Sequence, residues 1–140
     1  MTAIPNKWRF AIGTTSRVPG YKWHYLILDY DNVPFSYVFH RLVNRFPCIV
    51  RGGEQFQFHA QPTQSGWHVF TSIHFYYFEE LIDVAYAMGA DPAWLRIGEK
   101  RGYLFLADKA PVPLPWPVER MVIAREQVRR GCKNRFPPAV

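Results

Sequence analysis

Cysteine is scarce in this chain: Cys48 and Cys132 lie far apart and in no metal-type spacing. We read both as reduced bystanders, with a disulfide between them as the alternative, and not as a zinc site. Long apolar runs are missing too, and nothing approaches the ~20 residues of a membrane span. The first ten residues, MTAIPNKWRF, contain no apolar signal core, which points to an intracellular protein. No G-x-x-x-x-G-K-[ST] phosphate loop is present, and no histidines show H-E-x-x-H spacing, which argues against a P-loop NTPase or a metalloprotease of that type. There is no internal repeat and no sign of a second domain. The 140 residues read as one domain, 1–140, able to bury roughly two-thirds of its unfolded surface.

Acidic residues are also few, 11 against 17 basic ones, for a net charge of +6. Arginine supplies 12 of the basic residues. Arginine forks onto phosphate with two donors and stacks on bases, so this balance favours a polyanionic partner. Hydrophobic content of 49% with 17% aromatic residues argues for a packed globular protein rather than a disordered one.

Trp8 to Gly13 reads as a first strand, and Pro19–Gly20 as a turn before a central strand from about Trp23 to Tyr30. Asn32-Val33-Pro34 opens a helix from about Phe35 to Arg45, with Val38, Phe39, Leu42, Val43 and Phe46 at helical spacing. Pro47 stops it. Cys48–Arg51 reads as a short strand, Gly52–Gly53 as a turn, Gln55–Gln61 as an alternating half-buried strand, and Trp67–Ser72 as another. A helix is expected from about Phe75 to Met88, ended by Gly89. Trp94–Ile97, a turn at Gly98–Gly102 and Tyr103–Ala107 read as a strand hairpin. Pro111–Pro117, with four prolines in seven residues, is an extended crossing segment. The last element expected is a basic helix, 118–130, followed by a loosely held end. The order β–β–α–β–β–β–α–β–β–α describes an α+β protein with helices packed on one mixed or antiparallel sheet.

The centre of this pattern is YLILDYDN, residues 25 to 32. Four apolar or aromatic residues lead into Asp29, Tyr30 and Asp31, as in a strand buried on both faces. Residues i and i+2 of a strand share a face, so Asp29 and Asp31 project together. Two adjacent carboxylates raise each other's pKa unless a cation lies between them. A hard divalent ion such as Mg²⁺ or Mn²⁺ would supply that charge. The plainer reading is a solvent-facing Asp pair that caps the next helix.

Ser65-Gly66-Trp67-His68-Val69 is the second stretch of interest. Glycine allows a tight turn, and His68 then sits near the start of an otherwise apolar strand. A lone histidine there is ordinarily a hydrogen-bonded core residue. The acidic strand upstream, and a Ser–Gly turn whose backbone N–H groups could face an anion, favour a binding role.

LILDYD followed by SGWH resembles the archaeo-eukaryotic primases and their primase-polymerase relatives, over roughly residues 23 to 108. Their signature is an acidic hDhD strand, a later SxH or SGxH strand, and a third acidic residue. The resemblance implies an RRM-like, primase-like core acting as a metal-dependent nucleotidyltransferase on a single-stranded DNA or RNA template with nucleoside triphosphates. It assigns Asp29, Asp31 and a third carboxylate to two divalent metals, and Ser65 and His68 to the triphosphate. Asp91 in DPAWLR is the preferred third acid, with Asp108 its competitor, and Arg96, Lys100 and Arg101 would contact phosphate or template. The two metals would activate a 3′-hydroxyl and stabilise the pyrophosphate leaving group. Trp67 or Tyr103 could stack on a base. The chain lacks the family's zinc cluster and helical accessory domain, which suits a minimal viral or plasmid enzyme or a relative that has lost catalysis.

Three other readings stay open. LILDYDN also suits the acidic strand that opens NYN/PIN-type nucleases, although acids at later strand ends are few. A rolling-circle initiator of the HUH class needs a His-hydrophobic-His strand and a helical tyrosine. Phe58-His59-Ala60-Gln61 lacks the second histidine, while Tyr76 and Tyr77 fall in an expected helix. A non-catalytic, basic nucleic-acid-binding protein on an RRM-like sheet would leave the acids without a catalytic role.

Overall fold

The computed structural model describes residues 8–47, 57–108 and 111–126. In chain order it contains β1 (Trp8–Thr15), β2 (His24–Asp31), α1 (Phe35–Arg45), β3 (Phe58–Pro62), β4 (Gly66–Phe75), α2 (Phe78–Ala87), α3 (Pro92–Arg101), β5 (Phe105–Ala107) and β6 (Arg120–Glu126). The protein is α+β. Its strands form two three-stranded antiparallel sheets, β5–β1–β6 and β2–β4–β3, rather than the single sheet expected. The reason lies in the pairing of β1, which takes β5 and β6 as neighbours. Just past the end of β1, Tyr25 N–H of β2 donates to the Ser16 carbonyl and an isolated bridge joins Arg17 to His24.

The central strand is buried on both faces, as its sequence predicts. Leu26, Ile27, Leu28 and Tyr30 are all buried, and burial relaxes only at Asp29 and Asp31. Each of these leucines stabilises the fold by about 2 kcal/mol through burial. The Tyr30 hydroxyl donates to the Met88 carbonyl, tying the end of β2 to the turn after α2. Pro19–Gly20 turns as expected. Tyr21 N–H donates to the Val18 carbonyl, and Gly20 takes the positive φ of 84° that a Pro-Gly turn of this type requires.

Helix α1 has the expected bounds, and it buries Val38 and Leu42. Its N-cap is Pro34, with no side-chain cap, so neither Asp29 nor Asp31 serves as a capping residue. Helix α2 starts at Phe78 rather than near Phe75, because β4 runs on to pair Phe75 with His24. Strand β3 covers Phe58–Pro62, the later part of the expected 55–61 strand.

Two expectations are overturned. Residues 92–101 are a helix, not the first strand and turn of a hairpin. Asp91 caps it by accepting from Trp94 N–H at 3.0 Å, Pro92 occupies the first turn, and Gly102 ends it at φ 90°. Residues 120–126 are a strand, not part of a basic helix over 118–130. Here β-branched Val122 and Ile123 fit the ladder that β1 offers, with Ile12 opposite Val122. Residues 111–117 form neither helix nor strand and bend at 115–116, with Val112 buried and Leu114 and Trp116 packed on the core. The expected strand at 48–51, the turn at 52–53, both cysteines and the chain beyond 126 lie outside the described residues. Among those described, no helix is long and apolar enough to cross a membrane.

Candidate functional site

The two motifs meet because β2 and β4 are antiparallel neighbours. Asp29 lies opposite His68, Tyr30 opposite Trp67, and Asp31 opposite Gly66. Gly66 is required at that position, since a Cβ there would stand 1.8 Å from the Tyr30 carbonyl oxygen. The turn before it is closed by its own side chain. Thr63 Oγ1 accepts from Gly66 N–H at 2.9 Å, and Gly66 C=O accepts from Thr63 N–H. The Gly66 donor is therefore spent within the turn rather than offered to an anion. Across the strand end, Asn32 N–H donates to the Ser65 carbonyl, and Ser65 Oγ–H donates to Asp31 Oδ1 at 3.0 Å.

Asp29 is mostly buried, and its carboxyl is pushed up from 3.8 to about 6 by burial first, then by Asp31 and Asp91. His68 Nε2 lies 3.5 Å from Asp29 Oδ1. That is beyond a good hydrogen bond. Burial lowers the His68 pKa below 6.5, against the opposing pull of Asp108 and Asp31. Burial thus favours the uncharged ring, and among the described residues no Lys or Arg pairs with Asp29.

Both candidate third acids come close enough to be felt. Asp91 N–H donates to the Asp29 carbonyl at 2.8 Å, and the Asp91 charge helps raise Asp29. One Asp91 oxygen is committed to capping α3. Asp108 pairs through Oδ1 with Arg120 Nη1 at 2.5 Å, while its buried Oδ2 has no partner among the described residues. Arg120 also donates to Thr14. Its local sequence points only to a solvated basic face, and only the pairing of β1 with β6 brings it to Asp108. Thr63, which closes the turn, was likewise not anticipated, although a Thr three residues before a tight Gly turn is a usable sign of such a bond.

The remaining basic candidates stand apart. Arg96, Lys100 and Arg101 are exposed on α3. Lys100 and Arg101 occupy its last turn, about 14 Å along the axis from the Asp91 cap at a rise of ~1.5 Å per residue. The Arg96 charge is felt at Tyr86 on α2, where it opposes a rise in that hydroxyl's pKa. The two aromatics expected to stack on a base are already engaged. Trp67 packs against Phe35, and Arg17 lies 4.4 Å over the Tyr103 ring. Tyr76 and Tyr77 precede α2 rather than lying within it, so the two tyrosines of the HUH reading are not helical.

The donors at this strand end are hard oxygens with surplus negative charge, and both properties suit a divalent ion. Among the described residues no group of three or more His, Cys, Asp or Glu side chains is spaced to hold a metal. Mg²⁺, however, is commonly held by one or two carboxylates, with water and substrate phosphate completing its shell. The Asp29–Asp31 pair fits that mode of binding better than a preformed cage of protein ligands.

Set against family models, curated proteins and solved structures, the chain matches none.

Proposed function

We propose that this protein is a primase-polymerase-type nucleotidyltransferase acting on a single-stranded nucleic-acid template, built on a minimal RRM-like, primase-like core. The observation that carries this reading is the β2–β4 register, which sets Asp29 against His68 and Asp31 beside Ser65. Residues more than thirty positions apart in the chain thereby form one polar cluster at the end of a core strand. In this reading Asp29 and Asp31 would hold Mg²⁺ or Mn²⁺, with Asp91 or Asp108 adding to the field. Such an ion neutralises phosphate charge and activates a hydroxyl nucleophile.

The chain's own groups have definite tasks here. Ser65 fixes the orientation of Asp31 through its hydrogen bond, and its single hydroxyl hydrogen must turn away from Asp31 to reach a phosphate oxygen. Neutral His68 can donate one ring N–H to an incoming anion without the cost of burying a charge. The raised Asp29 carboxyl loses its proton more readily once a cation arrives.

A second reading is favoured by the lack of any described trio of metal ligands. It is a basic nucleic-acid-binding module without catalysis.

Incorporation of labelled nucleotides on a single-stranded template, with Mg²⁺ or Mn²⁺, separates the two. Wild type should give metal-dependent product, reduced at least about 100-fold in folded Asp29→Asn and Asp31→Asn. Asp91→Asn beside Asp108→Asn then identifies the third acid. No product, with single-strand binding that survives EDTA, supports the binding module. A shortened template points to a nuclease.

A further inference from the structure

The end of β2 opposite the carboxylates carries a column of three stacked rings. Tyr21 and Trp23 lie with centroids 4.7 Å apart and planes within 12°. His74 also stacks on Trp23, at 4.8 Å and 10°, and since Tyr21 and His74 make no ring contact with each other, Trp23 lies between them. The column is built from two separate segments, the Pro19–Gly20 turn and the far end of β4, where His74 lies opposite Tyr25. Trp23, the middle ring, packs on the core. The outer rings do not, since Tyr21 is 63% exposed and His74 is exposed as well. No other described ring caps either end. A column formed only for packing would bury its outer faces.

The electrostatic setting selects the ligand. Residues 17–25 and 72–77, which form this end, contain Arg17 and Lys22 and no carboxylate of their own. Among the described residues the one acid paired here is Glu119, 3.6 Å from Arg17, which leaves Lys22 as the main positive charge beside the rings. Flat, parallel aromatic faces beside basic side chains bind unstacked bases while a phosphate backbone runs past. At ~3.3 Å per strand residue, Trp23 lies ~20 Å from Asp29 along β2. The two sites could therefore touch one strand several nucleotides apart.

We propose that the Tyr21–Trp23–His74 column is a base-stacking anchor for single-stranded nucleic acid, remote from the carboxylate cluster. This rests on the nucleic-acid half of the function proposed above and not on its chemistry.

The test is fluorescence anisotropy with a labelled 20-nucleotide oligothymidylate and a duplex of equal length, in EDTA at low salt. Wild type, Tyr21→Ala and Tyr21→Phe are compared, with folding checked by circular dichroism. Tyr21→Ala should weaken single-strand binding at least about fivefold, the loss of one stacked ring. Tyr21→Phe should stay within about twofold of wild type, because it keeps all three rings. Duplex binding should be unchanged in all of them.

Equal single-strand affinity for Tyr21→Ala and wild type would overturn the anchor while leaving the nucleotidyltransferase reading untouched. So would an equal loss on duplex, or a Tyr21→Ala variant that only turns a dimer into a monomer on sedimentation. Weakened binding by Tyr21→Ala in a protein that incorporates no nucleotide would support the anchor and sink the chemistry. No binding by wild type would overturn the anchor.

Discussion

His24 and His68 lie on neighbouring strands, and burial depresses the pKa of both, yet their surroundings differ. The His24 ring meets Ser16 Oγ at 2.8 Å, and that same oxygen accepts from the buried Leu104 N–H. Phe78 closes over the ring. His24 Nδ1 and the Leu104 N–H thus share one hydroxyl, as suits a structural histidine. His68 faces a carboxylate at 3.5 Å, with like charges crowding behind it. One histidine contributes to stability, and the other stands beside carboxylates of like charge. Strained or unsatisfied polar groups of the second kind concentrate where function costs stability.

The sharpest way to break this contrast is Gly66→Ala. The new Cβ would collide with the Tyr30 carbonyl and part the strands that hold the two motifs together. A loss of about 3 kcal/mol, or roughly 10 °C in Tm for a chain of this size, is expected in thermal unfolding. Metal-dependent activity should disappear with it.

Ser16→Ala tests the closed histidine. It leaves the His24 ring and the Leu104 N–H without their partner, at a cost of about 2 kcal/mol, or roughly 6 °C by the same measurement.

The smallest effect has the opposite sign. The Asp29 carboxyl is raised on folding to about 6, so its favourable contribution is present below the unfolded value near 3.8 and is lost as pH rises through about 6. At pH 8 the ionised group therefore destabilises the fold. Asp29→Asn removes that penalty, and after allowance for solvent screening it should gain about 1 kcal/mol, or roughly 3 °C. The gain should vanish below about pH 4. A loss of stability at pH 8 would mean that Asp29 already has a cationic partner.

What could be read from the sequence follows how locally each feature is determined. Strand β2 and helix α1 announce themselves through a continuous apolar run and through 3.6-residue spacing. The meeting of Asp29 and Asp31 with Ser65 and His68 was suggested by motif order and is realised by a tight turn, PTQSG, that sets the register. Helix α3 carries start and stop signals in Asp91-Pro92 and Gly102, but its Trp-Leu-Arg-Ile run is strand-prone in isolation, and the helix wins only where Asp91 caps it. Strand β6 and the Arg120–Asp108 pair were beyond local reasoning, because β1 supplies their setting from the other end of the chain. The two-sheet arrangement was hidden for the same reason.

That pairing of first strand with last also has a consequence for synthesis. Trp8 pairs opposite Glu126, while all three strands of the other sheet are complete by Phe75. At ~5–20 residues per second, about 3–10 s separate the two events on the ribosome. Through that interval the sheet bearing the carboxylates has all its strands, while β1 waits with Phe10 and Ile12 unpaired. The order of translation thus leaves the edge of β1 open to wrong partners for that time.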